Sequence, residues 1–330
     1  MTSVSVVIPL YNKAPYIQRA ISSILSQTIQ PEEIIVIDDG STDGGGELVQ
    51  ALSEPRLRVF RQENQGPGNA RNRGISEAGG NLIAFLDADD AWKPRFLEVI
   101  SYLHELYPRA GAYATNFEII TPTSERQIPA INNLPPGASH GLISNYFQIW
   151  RPISSAIAIP KKVLEQIGMF PVAERLHEDL DTFLRIALSY PIAWSNECLA
   201  TWYQNSANRA CLLVPYSQEP AISRTAREAI AAELVPLEQR EDLREYAAYF
   251  QLRAAKGLLM QGNKELALQL LELARGTVRY TQSKPWRWLW MASFPGNLLL
   301  WYENMKIFER TFRRKIKNIL RLASGTNYFA

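Results

Sequence analysis

Short β-branched apolar runs alternate with amphipathic stretches through the first ninety residues. SVSVVIP from Ser3, EIIVID from Glu33, RLRVF from Arg56 and NLIAFLD from Asn81 have strand length, with helix-like stretches to about Ser26, after the second run, and from Pro67 to Ala78. Strand and helix alternating at this spacing predict βαβ units in a mostly parallel sheet. The runs are apolar on both alternating faces, as strands covered by helices on both sides should be.

From about Gly111 the pattern loosens. AYATNFEII and SSAIAIP from Ser154 read as strands, separated by a Pro- and Gly-rich stretch from Thr121 to Gly141. A long irregular segment inside a compact domain reads as a functional loop. HEDLDTFLRIALSY is a helix by the spacing of Leu180, Phe183, Leu184, Ala187 and Leu188, and IAWSNECLATWYQ completes the sheet.

After about Pro215 the sequence becomes helical. Tyr249, Leu252, Ala255, Leu258 and Leu259 form one stripe, Gly262-Asn263 breaks it, and Leu266, Ala267, Leu270, Leu271 and Ala274 form the next. One such pair without a second copy reads as an ordinary helical hairpin rather than a repeat array. The expected organisation is a domain over 1–214, with a first half to about 110 and a second over 111–214, followed by a helical region over 215–330.

Composition narrows the class. With 46% hydrophobic and 21% charged residues the 330-residue chain has ample material for a core, and its length suits about two domains. A net charge of +2 does not suggest a nucleic-acid binder. The two cysteines, Cys198 and Cys211, form no CxxC pair, so neither a disulfide framework nor a structural zinc site is expected. The N-terminus lacks a basic region before its short apolar run, and no apolar stretch reaches the roughly 18 residues of a membrane span, so a cytoplasmic protein is expected.

The candidate chemistry lies where strands end, the edge at which open parallel sheets bind ligands. Pro9 and Tyr11 follow the first strand, and Tyr11 there suits either packing or stacking on a base. Asp38-Asp39-Gly40-Ser41-Thr42-Asp43 follows the second; it reads equally as helix punctuation or as carboxylates receiving a ribose or a base N–H. Asn64-Gln65-Gly66-Pro67-Gly68 opens a helix carrying Arg71 and Arg73. A dinucleotide fingerprint would need glycine where Arg71 stands, whereas a guanidinium beside a helix N-terminus suits a nucleotide or diphosphate. Asp87, Asp89 and Asp90 crowd the turn after the fourth strand, and such anions suit Mg²⁺ or Mn²⁺ shared with substrate phosphates, the alternative being a solvated acidic turn. His177-Glu178-Asp179-Leu180-Asp181 opens a helix, where acids favour the macrodipole and a carboxylate base would look the same.

Together, VSVVIPLYNK, EIIVIDDGSTD, NQGPGNARNRGI, LIAFLDADD and HEDLD stand in the order and at the spacings of family 2 glycosyltransferases, which this chain resembles over about residues 1–205. The resemblance implies a GT-A fold, Rossmann-like with a mostly parallel sheet flanked by helices, here with a C-terminal all-helical extension. It implies a metal-dependent inverting transferase that moves a sugar from a nucleotide diphosphate sugar, most often UDP-linked, to a hydroxyl of a glycan or lipid-linked glycan in cell-surface polysaccharide synthesis. Pro9, Tyr11, Asp39, Arg71 and Asp87 match the nucleotide-sugar positions, Asp89 the divalent-cation position and Asp179 the catalytic base, with Glu178 beside the acceptor. Two departures stand out. Trp202-Tyr203-Gln204-Asn205-Ser206 occupies the place of a histidine loop found in many relatives, and the QxxRW motif and membrane helices of processive synthases are not visible, which points to limited transfer. A sugar nucleotidyltransferase and a non-catalytic nucleotide-sugar-binding scaffold are the alternatives.

The tail alters the charge picture. From Trp286 onward eight Lys or Arg stand against two Asp or Glu, a local +6, so the remainder sums to −4. Trp286, Trp288, Trp290, Phe294 and Trp301 precede a helical pattern of Met305, Phe308, Phe312, Ile316 and Ile319, decorated by Arg310, Arg313, Arg314, Lys317 and Arg321. An aromatic belt with a basic amphipathic helix suits the anionic inner face of a membrane, and equally suits packing on its own domain or a dimer partner.

Overall fold

In the computed structural model, the structure describes residues 2–121, 124–127, 138–143, 153–204, 206, 215–283, 292, 293 and 295. Cys211, most of the tail from Lys284 onward, including all its aromatic and basic residues, and most of the Thr121–Gly141 stretch lie outside these residues.

Each of the first four apolar runs is a strand: β1 (Val4–Leu10), β2 (Glu33–Asp38), β3 (Leu57–Arg61) and β4 (Leu82–Phe85). They are joined by α1 (Ala14–Leu25), α2 (Gly45–Gln50) and α3 (Pro67–Glu77). The spatial order is β3-β2-β1-β4, all parallel. The chain therefore builds outward from β1 to β3 and returns through α3 to β4 on the other side of β1. That reversal opens a crevice beyond the carboxyl ends of β1 and β4. In α1, Ile17, Ile21 and Ile24 recur at helical spacing and are buried in the same cluster as Val6, Ile8 and Val36. Burying each such side chain contributes about 1.5–3 kcal/mol.

Past β4 the sheet is mixed. After β5 (Ala91–Trp92) and α4 (Phe96–Leu106) come β6 (Ala112–Thr121), β7 (Ser124–Gln127), β8 (His140–Ile143) and β9 (Ile157–Pro160). Then follow α5 (Lys161–Gln166), α6 (Glu178–Ser189) and β10 (Ile192–Tyr203). The order continues β4-β9-β6-β10-β5, with β7 on β6 and β8 on β10. Only β10 with β6 is parallel there; β9 runs antiparallel to both neighbours. The α/β class with flanking helices stands, and parallel pairing dominates only its first half. The Thr121–Gly141 stretch, expected to be irregular, gives up its ends to β7 and β8.

The chain divides into two compact units, Met1–Val214 with Pro220–Ala247, and Pro215–Glu219 with Ala248–Ala330. The expected boundary near 214 differs from this division. Helix α7 (Ala221–Ala231) belongs with the first unit, where Thr225 Oγ1 donates to Asp181 at 2.6 Å and Arg224 pairs with Glu174 at 3.3 Å. Helix α8 (Leu237–Met260) continues to the break at Gly262, followed by α9 (Lys264–Leu273) and α10 (Val278–Gln282). In the second unit Ala254, Ala255, Leu258 and Leu259 pack with Ala267, Leu270 and Leu271, the hairpin read from the two stripes.

Candidate active site

The loops after β1 and β2 are stitched together. Asn12 takes a left-handed φ of 51°, its N–H donates to Ser41 Oγ at 3.1 Å, and its Oδ1 accepts from the Thr42 N–H at 2.8 Å. Asp43 accepts the Ala14 N–H at 2.8 Å, satisfying a donor in the first turn of α1. Asp38 accepts the Ser41 N–H at 2.8 Å and is buried, so it serves as turn punctuation. Tyr11 stands 45% exposed at the rim, and Pro9 is half-buried.

Asp39 faces inward. Its Oδ1 accepts from Gln62 Nε2 at 2.8 Å and the Gln65 N–H at 2.9 Å, and its Oδ2 from the Gly66 N–H at 2.8 Å. Gly66 holds φ +92°, a conformation an L side chain adopts only under strain, so glycine allows the loop to turn its N–H onto Asp39 and enter α3. One turn later Arg71 is 4% exposed. Its Nη1 donates to Glu178 at 2.7 Å and its Nη2 to Asp87 at 2.8 Å. Burial works against the guanidinium charge, but Asp87, Glu178 and Asp179 outweigh it and strengthen its hold on the proton. Arg71 thus joins the glycine-rich loop, the acid turn and the start of α6. Glu178, expected beside the acceptor, is 5% exposed and turned to Arg71. Burial and the neighbouring Asp179 push its carboxyl up to about 7, against the pull of Arg71.

The acid turn after β4 separates three carboxylates by partner. Asp87 keeps one oxygen on Arg71 and is about a third exposed. Asp89 Oδ2 accepts from Lys13 Nζ at 2.7 Å and makes a short hydrogen bond with Ser206 Oγ. Arg19 donates to the Asp89 carbonyl and stacks at 3.5 Å on the ring of Tyr203. Asp90 is buried, accepting from Ser155 Oγ at 2.5 Å and the Tyr203 N–H at 3.1 Å. Burial first, then Asp87 and Asp89, raise its carboxyl well above the ordinary carboxylate range. Among the described residues no three His, Cys, Asp or Glu side chains converge on a metal cage. The turn instead fits the mode in which one or two carboxylates hold an ion together with substrate phosphates. In that mode Asp89 would exchange its Lys13 partner for the ion.

Asp179 is half-buried at the mouth of the same edge. Its Oδ2 accepts from Ser154 Oγ at 3.1 Å and its Oδ1 from the Leu180 N–H at 2.8 Å. His177, at φ 62°, turns the chain into α6. The residues singled out from the motifs therefore collect at one edge, with Tyr11 at the rim and Asp39 and Glu178 committed inward. Lys13 and Ser155 were not anticipated. Lys13 and Asp89 are 76 positions apart, and Ser155 and Asp90 are 65 apart, so no local signal joins them.

Comparison with known proteins bears on the family and the fold. Residues 5–168 match the family model described as glycosyl transferase family 2. An uncharacterized glycosyltransferase of Nostoc sp. is 36% identical over 176 residues, 51% of this chain and 53% of that protein. Glycosyltransferase GlyG of Streptococcus pneumoniae is 44% identical over 100 residues, 29% of this chain and 33% of its own. The matches thus span about half or less of these relatives' lengths. S. aureus TarS 1–349 in complex with UDP-GlcNAc has a similar fold, with a TM-score of 0.63 at 19% identity over 82% of this chain and 81% of that one. The same protein in complex with UDP gives 0.60 at 18% identity over 95% of this chain and 92% of that one.

Proposed function

The chain carries a family 2 glycosyltransferase domain over residues 5–168, and from that premise we propose that it transfers a sugar from a UDP-sugar to a hydroxyl of a glycan or lipid-linked glycan, inverting the anomeric carbon. The observation that carries this reading is the Arg71 bridge. One buried guanidinium holds Asp87 and Glu178 together, so the acid turn and the start of α6 that carries Asp179 stand side by side at one edge. The S. aureus neighbours, in complex with UDP-GlcNAc and with UDP, support a uridine nucleotide there.

In this reading Pro9 and Tyr11 flank the base, with the Tyr11 ring as its stacking face. Asp39 acts through the loop it pins, which shapes the nucleotide pocket. Asp87 keeps an oxygen for the ribose while Arg71 fixes the other. Asp89 would hold Mn²⁺ or Mg²⁺, and such an ion would supply charge stabilisation for the departing nucleoside diphosphate. Lys13 brings a further positive charge to the same turn. Asp179 takes the proton of the acceptor hydroxyl as it attacks the anomeric carbon from the face opposite the diphosphate. General-base catalysis of this kind contributes about 10² to 10⁴ in rate.

A panel of nucleotide sugars, assayed with Mn²⁺ and with Mg²⁺ against sugar acceptors and water, tests the proposal. UDP release and an inverted product anomer are expected. Asp89→Ala and Asp179→Asn should each lose at least about 10² in rate. Pyrophosphate release would make the protein a nucleotidyltransferase, and tight UDP-sugar binding without turnover across the panel would make it a scaffold.

A further inference from the structure

The short 3₁₀ turn Ser154–Ala156 precedes β9. Strands β4 and β9 pair antiparallel, with Leu82 opposite Pro160 and Ala84 opposite Ala158, so the same register carried forward sets Ser155 opposite Asp87. The contacts agree. Ser155 Oγ accepts the Asp87 N–H at 3.1 Å and donates to Asp90 Oδ2 at 2.5 Å. The preceding hydroxyl goes elsewhere, with Ser154 Oγ donating to Asp179 Oδ2 at 3.1 Å. Both serines are buried, at 2% and 0% exposure, and the next residues, Ala156, Ile157, Ala158 and Ile159, are apolar and buried. A buried hydroxyl is costly unless it is hydrogen-bonded, and here each one reaches a different carboxylate.

We infer that the Ser154-Ser155 turn is a positioning element that couples the two halves of the site. Ser155 sets the acid turn, and Ser154 aims Asp179. The inference rests on the proposed role of Asp179 as the base. The turn does not depend on the Ser154 hydroxyl for its own conformation. Trp92 Nε1 donates to the Ser155 carbonyl at 2.6 Å, and the Ala156 N–H reaches the Ile153 carbonyl at 3.0 Å. Removing the Ser154 hydroxyl therefore takes away one of the two hydrogen bonds that orient the Asp179 carboxylate while leaving the acid turn in place. Removing the Ser155 hydroxyl instead takes the acceptor from the Asp87 N–H and one donor from Asp90.

Ser154→Ala, Ser154→Thr, Ser155→Ala and Asp179→Asn are compared by two measurements. The first is UDP affinity by calorimetry with Mn²⁺. The second is kcat and KM for UDP release from the UDP-sugar that the parent turns over fastest. Ser154→Ala should lower kcat about fivefold to tenfold, the worth of one positioned hydrogen bond, with UDP Kd and donor KM within about twofold of the parent. Ser154→Thr, which keeps the hydroxyl, should restore kcat. Ser155→Ala should weaken UDP binding by about fivefold to tenfold. Loss of UDP affinity in Ser154→Ala equal to that in Ser155→Ala would reduce the pair to an ordinary structural turn and overturn the inference. So would an unchanged kcat in Ser154→Ala where Asp179→Asn is inactive, and that result would leave the reading of Asp179 intact. A fully active Asp179→Asn would overturn that reading, and this inference with it.

Discussion

Glu178 is the residue whose environment makes the plainest demand. Its carboxyl is pushed up to about 7 by burial and by Asp179, from an ordinary value of 4.5, and Arg71 only partly offsets this. Between those two values the folded state holds a proton that the unfolded state has released, so stability falls as pH rises through the window. Below it both states are protonated and the penalty vanishes; above it both are ionised and the penalty is complete. Urea unfolding measured from pH 4.5 to 7.5 should show this decline. Glu178→Gln, which keeps an acceptor for Arg71 but cannot ionise, should flatten it by up to about 1.4 kcal/mol per pH unit. Parallel profiles for parent and variant would place the proton elsewhere, with Asp90 the next buried acid in line.

Helix α3 is held against β1 by an absence of side chain. A methyl at Gly74 would come within 2.3 Å of Val7 Cγ1, and Val7 is fully buried at the centre of the sheet. Gly74→Ala should therefore lower the unfolding free energy by about 1–3 kcal/mol through overpacking, read as a shifted urea midpoint at unchanged m-value. Combining it with Val7→Ala should cost less than the two separate losses together, because the new methyl fills the space the other vacates. Strict additivity would mean that the two do not meet. The same helix carries Arg71, so its seating on β1 also sets how far the guanidinium reaches toward Asp87.

At the scale of the whole chain, unlike charge is segregated. Residues 286–330 carry +6, and the rest sums to −4. Among the described residues no helix is long and apolar enough to cross a membrane. The tail's sequence pattern of tryptophans and basic residues leaves two expectations, docking on anionic lipid and packing on its own domain or a second copy. Co-sedimentation with vesicles containing anionic lipid, comparing the full chain with one ending at Lys284, should show partitioning that depends on the tail and weakens with salt. Equal partitioning of the two would point the tail toward its own domain or a second copy.

Much of the fold was legible because its signals are local. The continuous apolar runs of Val4–Leu10 and Glu33–Asp38 mark strands buried on both faces, the 3.6-residue stripe at Leu258, Leu259, Leu270 and Leu271 marks a buried helical face, and turn residues mark where strands stop. Those same stops located the candidate chemistry, since Tyr11, Asp39 and Asp87 each follow a strand's carboxyl end. The partners of these residues were not legible. Asp39 turning onto the glycine-rich loop, Arg71 reaching Glu178 across 107 positions while holding Asp87, Lys13 on Asp89, and the serine pair dividing between Asp90 and Asp179 all depend on strand order and on the antiparallel register of β4 with β9. The sequence by itself determined the elements and the chemical groups at their ends, because backbone preference and burial pattern act over a few residues. Only the tertiary structure decided which carboxylate meets which cation or hydroxyl, because those pairings form where distant strands close the sheet.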